Sequence, residues 1–249
     1  MTITQKPTIV FLGTSGHIAP VVIKELLKNY NILGISRNAS LRKTDGYEGI
    51  EFDFEKSNYE SIKNLINLIY SKYGSSIKGF IFNFYYGYPE EPDNLNDENI
   101  LKACMGIFGK QMQLIDSIYE VFKSSLSLIL ISSMYSNLNP KYKNYENNKD
   151  FNALLYGSMK AAFEKGGKWF ISYKRGSKIR LNILRLGPFP NYSVQKLKPK
   201  FIKNLSKNTE LNSIGYPEDI VSALEFLLSE RSKYCQGSTV TIDGGWSIS

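Results

Sequence analysis

The sequence contains one histidine and two cysteines, and this scarcity excludes several kinds of site. Because His17 is the only histidine, we exclude a metal cluster centred on imidazoles and a Ser-His-Asp triad. Cys104 and Cys235 lie far apart and show neither a metal-ligand spacing nor a disulfide framework. A reducing cytoplasm is therefore the expected compartment.

Long apolar runs and a signal-peptide pattern are also absent from the sequence. No run approaches the roughly 18 residues of a membrane-spanning helix, and residues 1–7 are a short polar lead into a strand. Acidic residues are outnumbered, 23 against 31 basic ones, which gives a net charge of +8. The lysines are scattered and no nucleic-acid-binding motif occurs. We therefore expect no membrane and no nucleic-acid partner, and the excess positive charge suits an anionic small molecule.

Short apolar runs alternate with stretches of helical periodicity along all 249 residues. This alternation is typical of a doubly wound parallel sheet of about seven strands with helices on both faces. We predict a single Rossmann-like α/β domain, residues 1–249, because no internal repeat or linker divides the chain. The predicted strands are 8–12, 31–36, 50–52, 78–84, 126–131, 179–186 and 238–242, and the longer predicted helices are 57–73, 97–123, 152–174 and 217–229.

A glycine-rich turn, residues 13–19, joins the first predicted strand to a helix that ends near Asn29. In a dinucleotide-binding unit, the backbone amides of such a turn and the helix N-terminus receive a pyrophosphate. Arg37 follows the second predicted strand. An acidic residue there favours NAD(H), whereas an arginine suits the 2′-phosphate of NADP(H). We therefore expect NADP(H) as the cofactor, with NAD(H) left open.

Tyr156 and Lys160 are four residues apart in a predicted helix, so their side chains share one face. A free tyrosine has a pKa of about 10, which is too high for acid or base catalysis near neutral pH. A cation held beside it favours the phenolate and lowers that pKa. The same spacing also fits a half-buried tyrosine and a solvated lysine with no chemical role.

Together with the turn at 13–19, Ser133, Tyr156 and Lys160, the C-terminal stretch YPEDIVSALEFLLSERSKYCQGSTVTIDGGW resembles the short-chain dehydrogenase/reductase family. The resemblance covers nearly the whole chain. Within the family, the stretch SSMYSNLNPKYKNY ahead of Tyr156 is similar to the PtmA-like branch of flagellin-modification and surface-glycan reductases. Ser133 and Tyr156 are 23 residues apart, more than the family commonly shows, and the extra residues form a polar insertion at 134–150.

The resemblance implies hydride transfer between a nicotinamide cofactor and a carbonyl or hydroxyl group. Ser133 matches the serine that hydrogen-bonds the substrate oxygen, with Ser132 as the alternative. Tyr156 matches the general acid/base, and Lys160 matches the residue that binds the nicotinamide ribose and lowers the pKa of that tyrosine. The implied cofactor-binding residues, with Asp53 toward the adenine, are Gly13, Ser15, Gly16, His17, Ile18, Arg37, Asp53, Asn83 and Gly187.

Several residues depart from the family pattern beside the cofactor. His17 and Ala19 stand where the family has glycines that let the backbone approach the pyrophosphate. Residues 84–86, Phe-Tyr-Tyr, replace small residues near the adenine ribose, and Ala103 replaces an active-site asparagine. A degenerate, non-catalytic Rossmann protein that acts as a binding or partner subunit is therefore the rival hypothesis. A 3-ketoacyl reductase is a second enzyme hypothesis.

A basic region at 187–213 and two long helices underlie the predictions about partners. Five lysines between positions 196 and 207, with no acidic residue among them, predict an anionic small-molecule substrate. The branch resemblance makes a sugar or nucleotide-sugar intermediate the expected substrate. Excess apolar residues on the helices at 97–123 and 152–174 predict a homodimer or homotetramer; they are Ile107, Met112, Ile115, Tyr119, Phe163, Trp169 and Phe170.

Overall fold

The computed structural model describes residues 6–42, 44–88, 92–147 and 151–248, and a seven-stranded sheet lies at its centre. The strands are β1 (Thr8–Leu12), β2 (Asn31–Ser36), β3 (Tyr47–Glu51), β4 (Ile77–Phe82), β5 (Leu126–Ser133), β6 (Ile179–Leu186) and β7 (Thr239–Ile242). All neighbouring pairs are parallel, in the spatial order β3-β2-β1-β4-β5-β6-β7. The predicted doubly wound parallel sheet is confirmed. Residues 148–150 of the predicted insertion, and residues 1–5 and 249 of the predicted domain, lie outside the described residues.

The third strand begins earlier than the sequence pattern predicts. We expected it at 50–52, and β3 instead starts at Tyr47. It lies at the edge of the sheet beside β2, so its side chains are only partly covered and do not form a continuous apolar run. A strand of this kind gives a weak hydrophobic signal, which explains the shifted boundary.

Helices cover both faces of the sheet because successive strand residues point in opposite directions. The helices are α1 (Ala19–Leu26), α2 (Tyr59–Tyr73), α3 (Asp97–Ala103), α4 (Lys110–Val121), α5 (Leu154–Tyr173), α6 (Tyr192–Leu197), α7 (Pro199–Ser206) and α8 (Val221–Leu228). Val10 and Leu12 of β1 join one core with α2, α4 and α5. Ile9 and Phe11 join the other with α1 and α8. The core therefore occupies two layers, one on each face of the sheet.

The long helix predicted at 97–123 is interrupted in its middle. Cys104–Gly109 forms a π-helical segment between α3 and α4. Gly106 in this segment packs directly against the backbone of Tyr86, so closely that a side chain at position 106 would overlap the Tyr86 carbonyl oxygen. The interruption therefore brings the segment after β4 against the helix layer.

Most of the apolar residues that predicted a partner surface are buried within the chain itself. Ile115, Tyr119, Phe163 and Phe170 belong to the core between the sheet and the helices, and Ile107 belongs to a smaller core beside it. These apolar residues occupy more than one face of their helices because α4 packs against α2 and α5 as well as against the sheet. Trp169, which belongs to the predicted set, and Tyr173 supply exposed apolar surface on α5, and their rings stack 4.6 Å apart.

The basic region at 187–213, in which the sequence pattern predicted no strand and none of the longer helices, contains the two short helices α6 and α7. Asn191 caps α6 by accepting a hydrogen bond from the Val194 amide at 2.8 Å, and Pro199 lies in the first turn of α7. Leu205 of α7 packs with Met134 and Trp246 in a small core. The apolar face of α7 is narrow, and the many lysines around it made it hard to detect in the sequence.

The sheet order reverses between β1 and β4, and hydrogen bonds join the end of β1 to both of its neighbouring strands. The Gly13 amide donates to Ile35 O at 2.8 Å, and the Asn83 amide donates to Leu12 O at 2.9 Å. Asn83 Nδ2 also donates to Gly13 O at 2.9 Å. Gly13 has a φ of +90°, which favours glycine, and a Cβ there would lie 2.6 Å from Phe84 Cβ. Ligands of open α/β sheets bind in the crevice at such a reversal.

Candidate active site

Ser133, Tyr156 and Lys160 meet at the carboxyl end of β5. Ser133 is the last residue of β5, while Tyr156 and Lys160 lie in the first two turns of α5, which packs on that strand. The Ser133 hydroxyl accepts from the Tyr135 amide at 3.2 Å and lies close enough to the Tyr156 hydroxyl to act against the rise in the pKa of that phenol. The three residues that the sequence singled out are therefore brought together.

The neighbouring serine lies beside a different group, and its hydroxyl has no hydrogen-bond partner among the described residues. Ser132 is buried, and its hydroxyl, with Arg185 and Ser136, contributes to lowering the pKa of the Glu164 carboxyl against the opposing effect of burial. Glu164 also forms a bidentate ion pair with Arg185, with Nη2–Oε2 and Nε–Oε1 distances of 2.6 and 3.1 Å. Of the two serines left open by the sequence, Ser133 is the one that contacts Tyr156.

Lys160 is a buried ammonium group, only 4% exposed. Its Nζ donates to Ile131 O at 2.9 Å and lies 5.9 Å from the centre of the Tyr156 ring. Burial lowers the pKa of Lys160 to about 8, although the negative charge of Glu164 acts in the opposite direction. Lys160 is therefore largely charged at neutral pH and gives up its proton unusually easily for a lysine.

The pKa of Tyr156 is raised, which is opposite to the expected direction. Burial is the main cause, the Tyr85 phenol adds to it, and the hydrogen bond from Ser133 opposes it. The Lys160 ammonium is directed to the Ile131 carbonyl and does not offset the burial of the phenol. Tyr156 is thus held in its neutral, proton-carrying form.

Aromatic rings surround the Tyr156 side chain on the open side of the site. The rings of Tyr85 and Tyr88 lie 5.4 and 5.7 Å from that of Tyr156. Tyr135 and Tyr145, from the insertion, join their hydroxyls at 3.1 Å. Tyr85 attracted notice in the sequence only for its size, and the polar insertion concealed Tyr135 and Tyr145. The start of the insertion packs on α5, which brings Tyr135 to the site.

A cleft of about 350 Å³ lies beside these residues at the reversal point of the sheet. It is lined by Gly13, Ser15, Gly16, Ser36, Arg37, Phe52, Asp53, Phe54, Glu55, Asn83, Phe84, Tyr85 and Tyr86. Six predicted cofactor-binding residues therefore share one cleft: Gly13, Ser15, Gly16, Arg37, Asp53 and Asn83. The rings of residues 84–86 were expected near the adenine ribose, whereas Phe52 and Phe54 were not, although they flank Asp53 directly after β3.

The other three predicted cofactor-binding residues are not among those that line the described cleft. His17 Nε2 donates to Phe189 O at 2.8 Å and so ties the glycine turn to the segment after β6. Ile18 packs against the core on the α1 face. Gly187 approaches β7, where a Cβ would lie 2.5 Å from Asp243 Cα.

The N-terminus of α1 faces the glycine turn with its amides uncapped by any described side chain. A Cβ added at Gly16 would meet no atom within 4 Å, so the turn leaves open space in front of the helix. Free amides at a helix N-terminus attract anions.

The basic region meets the insertion at an exposed ion pair. Lys200 Nζ lies 3.2 Å from Glu146 Oε1. Thus at least one of the five lysines has an acidic partner outside its own segment.

Within the described ranges, no group of three or more His, Cys, Asp or Glu side chains is arranged to hold a metal ion. Among the same residues, every helix is too short or too polar to cross a membrane.

Comparisons with known proteins agree with this architecture. Residues 52–247 match the family model described as Enoyl-(Acyl carrier protein) reductase. Post-translational flagellin modification protein A of Campylobacter coli is 27% identical, over 95% of this chain and 96% of its own length.

Two solved structures share the fold. A short chain dehydrogenase from Leptospira borgpetersenii with bound NAD+ superposes with a TM-score of 0.82 at 20% identity, covering 98% of this chain and 94% of that one. The NADPH-dependent 3-quinuclidinone reductase of Rhodotorula rubra gives a TM-score of 0.83 at 18% identity, covering 98% and 92%. Since the family model spans most of the sequence, the chain belongs to the short-chain dehydrogenase/reductase family.

Proposed function

We propose that this oxidoreductase uses NADP(H) to reduce a carbonyl, or oxidise a hydroxyl, on a polar anionic substrate such as a sugar or nucleotide-sugar intermediate. The meeting of Ser133, Tyr156 and Lys160 beside the cleft at the sheet reversal is the observation that carries the proposal. The similarity to a flagellin modification protein supports a substrate of the surface-glycan type.

The residues of the cleft fit the adenosine half of a dinucleotide. The open turn at Gly16 and the uncapped α1 N-terminus would receive the phosphates, and Asp53 would face the adenine. Arg37 lies in the same wall and would pair with a 2′-phosphate. Lys160 would hold the nicotinamide ribose, and the bound nicotinamide would supply or accept the hydride.

Ser133, Tyr156 and Lys160, which meet at the end of β5, would transfer the proton to or from the substrate. Tyr156 carries its proton at neutral pH, which is the form that a carbonyl reduction requires of an acid. Because burial raises its pKa, the bound substrate and cofactor would have to offset that effect before the proton is transferred. Ser133 would hydrogen-bond the same substrate oxygen, since its hydroxyl already contacts that of Tyr156. To favour the phenolate that forms when the proton leaves, the Lys160 ammonium would have to turn from Ile131 O toward the phenol.

Titration of the purified protein with NADPH and NADH tests the cofactor assignment. We expect tighter binding of NADPH, and we expect Arg37→Ala to abolish the preference while leaving NADH affinity within about twofold. Arg42→Ala is a matched control, because Arg42 packs over the Tyr47 ring instead of lining the cleft. Equal affinities in the unmodified protein would contradict the NADP(H) assignment.

A non-catalytic binding subunit is the second candidate, and one observation favours it. The Tyr85 ring lies against both Tyr156 and Lys160, on the pair that would carry the chemistry. Absence of binding of either dinucleotide at millimolar concentration would make this the better hypothesis.

We also propose that the protein forms a homodimer or homotetramer in solution. Trp169 and Tyr173 of α5 are 54% and 66% exposed, and Leu101 of α3 is 65% exposed. Large apolar side chains exposed on neighbouring helices are typical of subunit contacts.

A further inference from the structure

Tyr85 belongs both to the wall of the cleft and to the surroundings of the catalytic pair. Its side chain lines the cleft that contains Gly13, Arg37 and Asp53. Its ring also lies 5.4 Å from the Tyr156 ring and 5.4 Å from Lys160 Nζ. Neither Tyr156 nor Lys160 lines the cleft in the described part of the chain. A ligand that reaches from the cleft to the pair must therefore pass Tyr85.

The backbone on both sides of Tyr85 is firmly held. Asn83 bonds to Leu12 O and Gly13 O, and the Phe84 ring stacks on Phe54 with centroids 4.0 Å apart. Gly87 has a φ of +78° and packs closely on the backbone of Lys102. These contacts fix where the Tyr85 side chain leaves the backbone.

The side chain itself has freedom to move. Tyr85 is 48% exposed, in contrast to Phe84, which is 9% exposed. Rotation about its side-chain bonds can carry the ring toward solvent without moving the backbone, since exposed side chains change rotamer readily. The Tyr85 ring can therefore change position while its backbone stays in place.

A cation–π contact with Lys160 holds the Tyr85 ring in its observed place. The Lys160 ammonium is buried and lies over the face of the Tyr85 ring, a cation–π arrangement that is stronger where water is excluded. A ligand that displaces the ring must break this contact, whereas a ligand confined to the cleft leaves it intact.

We propose that Tyr85 is a specificity-determining residue that divides the site, so that a ligand spanning the cleft and the Tyr156–Lys160 pair binds only by displacing its ring. This inference rests on the proposed dinucleotide-binding function. It predicts a selective penalty: the ring weakens binding of a whole dinucleotide and leaves binding of the adenosine half unchanged.

Calorimetric titration with two probes tests this division. NADPH spans both parts of the site, and adenosine 2′,5′-bisphosphate occupies the cleft alone. We expect Tyr85→Ala to tighten NADPH binding about tenfold, the scale of a buried cation–π contact, and to leave the bisphosphate affinity within about twofold. Tyr85→Phe keeps the ring and should retain the ratio of affinities seen in the unmodified protein.

Tyr88→Ala is the matched control, since Tyr88 also contacts the Tyr156 ring but does not line the cleft. It should leave the ratio of the two affinities unchanged. If Tyr85→Ala weakens NADPH binding, or changes the affinities for both probes equally, the proposed role of Tyr85 is wrong. The proposed NADP(H)-dependent function is not affected by that result. If neither probe binds the unmodified protein, the proposed function fails, and the proposal with it. Thermal melting of each variant confirms that the variants are folded.

Discussion

Replacing Lys160 with methionine should stabilise the free protein while abolishing its activity. Methionine has nearly the length of lysine and carries no charge, so it keeps the packing and removes the buried ammonium. Lys160 is 4% exposed and its pKa falls to about 8 from an ordinary 10.5. This lowering means that folding places a charge where water cannot solvate it.

The size of the effect follows from the two pKa values. Their difference, 10.5 minus about 8, is about 2.5, which corresponds to roughly 3 kcal/mol of unfolding free energy. The lost hydrogen bond to Ile131 O offsets about 1 kcal/mol of this. We therefore expect Lys160→Met to be more stable by about 2 kcal/mol at pH 7, or a rise in Tm of about 4–8 °C for a chain of this size.

The gain should depend on pH in a defined direction. Folded Lys160 loses its proton near pH 8, whereas the unfolded chain keeps it to about pH 10.5. Between these values the unfolded state binds more protons, so this group makes the unmodified protein more stable as pH rises. The advantage of Lys160→Met should thus be complete below pH 8 and disappear by about pH 10.5.

Denaturant unfolding at pH 7, 8.5 and 10 measures this difference. Lys168→Met is the control, because Lys168 is exposed on the same helix and its replacement should change stability by no more than about 0.5 kcal/mol. A Lys160→Met variant that is less stable than the unmodified protein at pH 7, or whose gain is the same at all three pH values, would refute the reasoning.

Three further predictions concern activity and assembly. Tyr156→Phe should lower turnover by about 10²–10⁴-fold with NADPH affinity preserved, because only the proton-carrying hydroxyl is lost; full turnover would remove Tyr156 as the acid/base. Trp169→Glu should shift the oligomer toward monomer in light scattering, as a charge enters an exposed apolar surface; an unmodified protein that is monomeric at micromolar concentration would contradict the assembly. kcat/KM should fall as salt rises, more than kcat does, because lysines of the basic region steer an anionic substrate. Replacing Lys198 and Lys200 together with Gln should flatten this dependence, and a salt-insensitive kcat/KM in the unmodified protein would remove their role.

The parallel sheet could be predicted from the sequence because its strands are buried on both faces. Residues 9–12 of β1 and 128–131 of β5 are buried and make continuous apolar runs that have few other interpretations. The edge strand β3 and the short helices α6 and α7 were harder to predict, since each buries only part of its surface. Strands and helices are predicted from runs and repeats of apolar residues, and these patterns are clear only where an element is largely buried.

The sequence indicated which residues form the candidate site, but it did not indicate the direction of the Tyr156 pKa shift. Helical spacing placed Tyr156 and Lys160 on one face, and the family resemblance added Ser133 with Ser132 as the alternative. The direction of the Tyr156 pKa depends on how deeply the phenol is buried and on which acceptor the Lys160 ammonium selects. Both are properties of the packed side chains that no spacing along the chain encodes. The contact of Tyr85 with this pair was hidden for the same reason.

The bond from Asn83 to the Gly13 carbonyl has a consequence for how the chain acquires its ligand cleft. It joins residues 70 positions apart. Contacts so distant along the chain require closure of a long loop and tend to form slowly. During synthesis, the glycine turn leaves the ribosome well before β4, so its carbonyl at Gly13 has no Asn83 partner for that interval. A chain that stops before β4 would keep the complete turn and still lack the cleft.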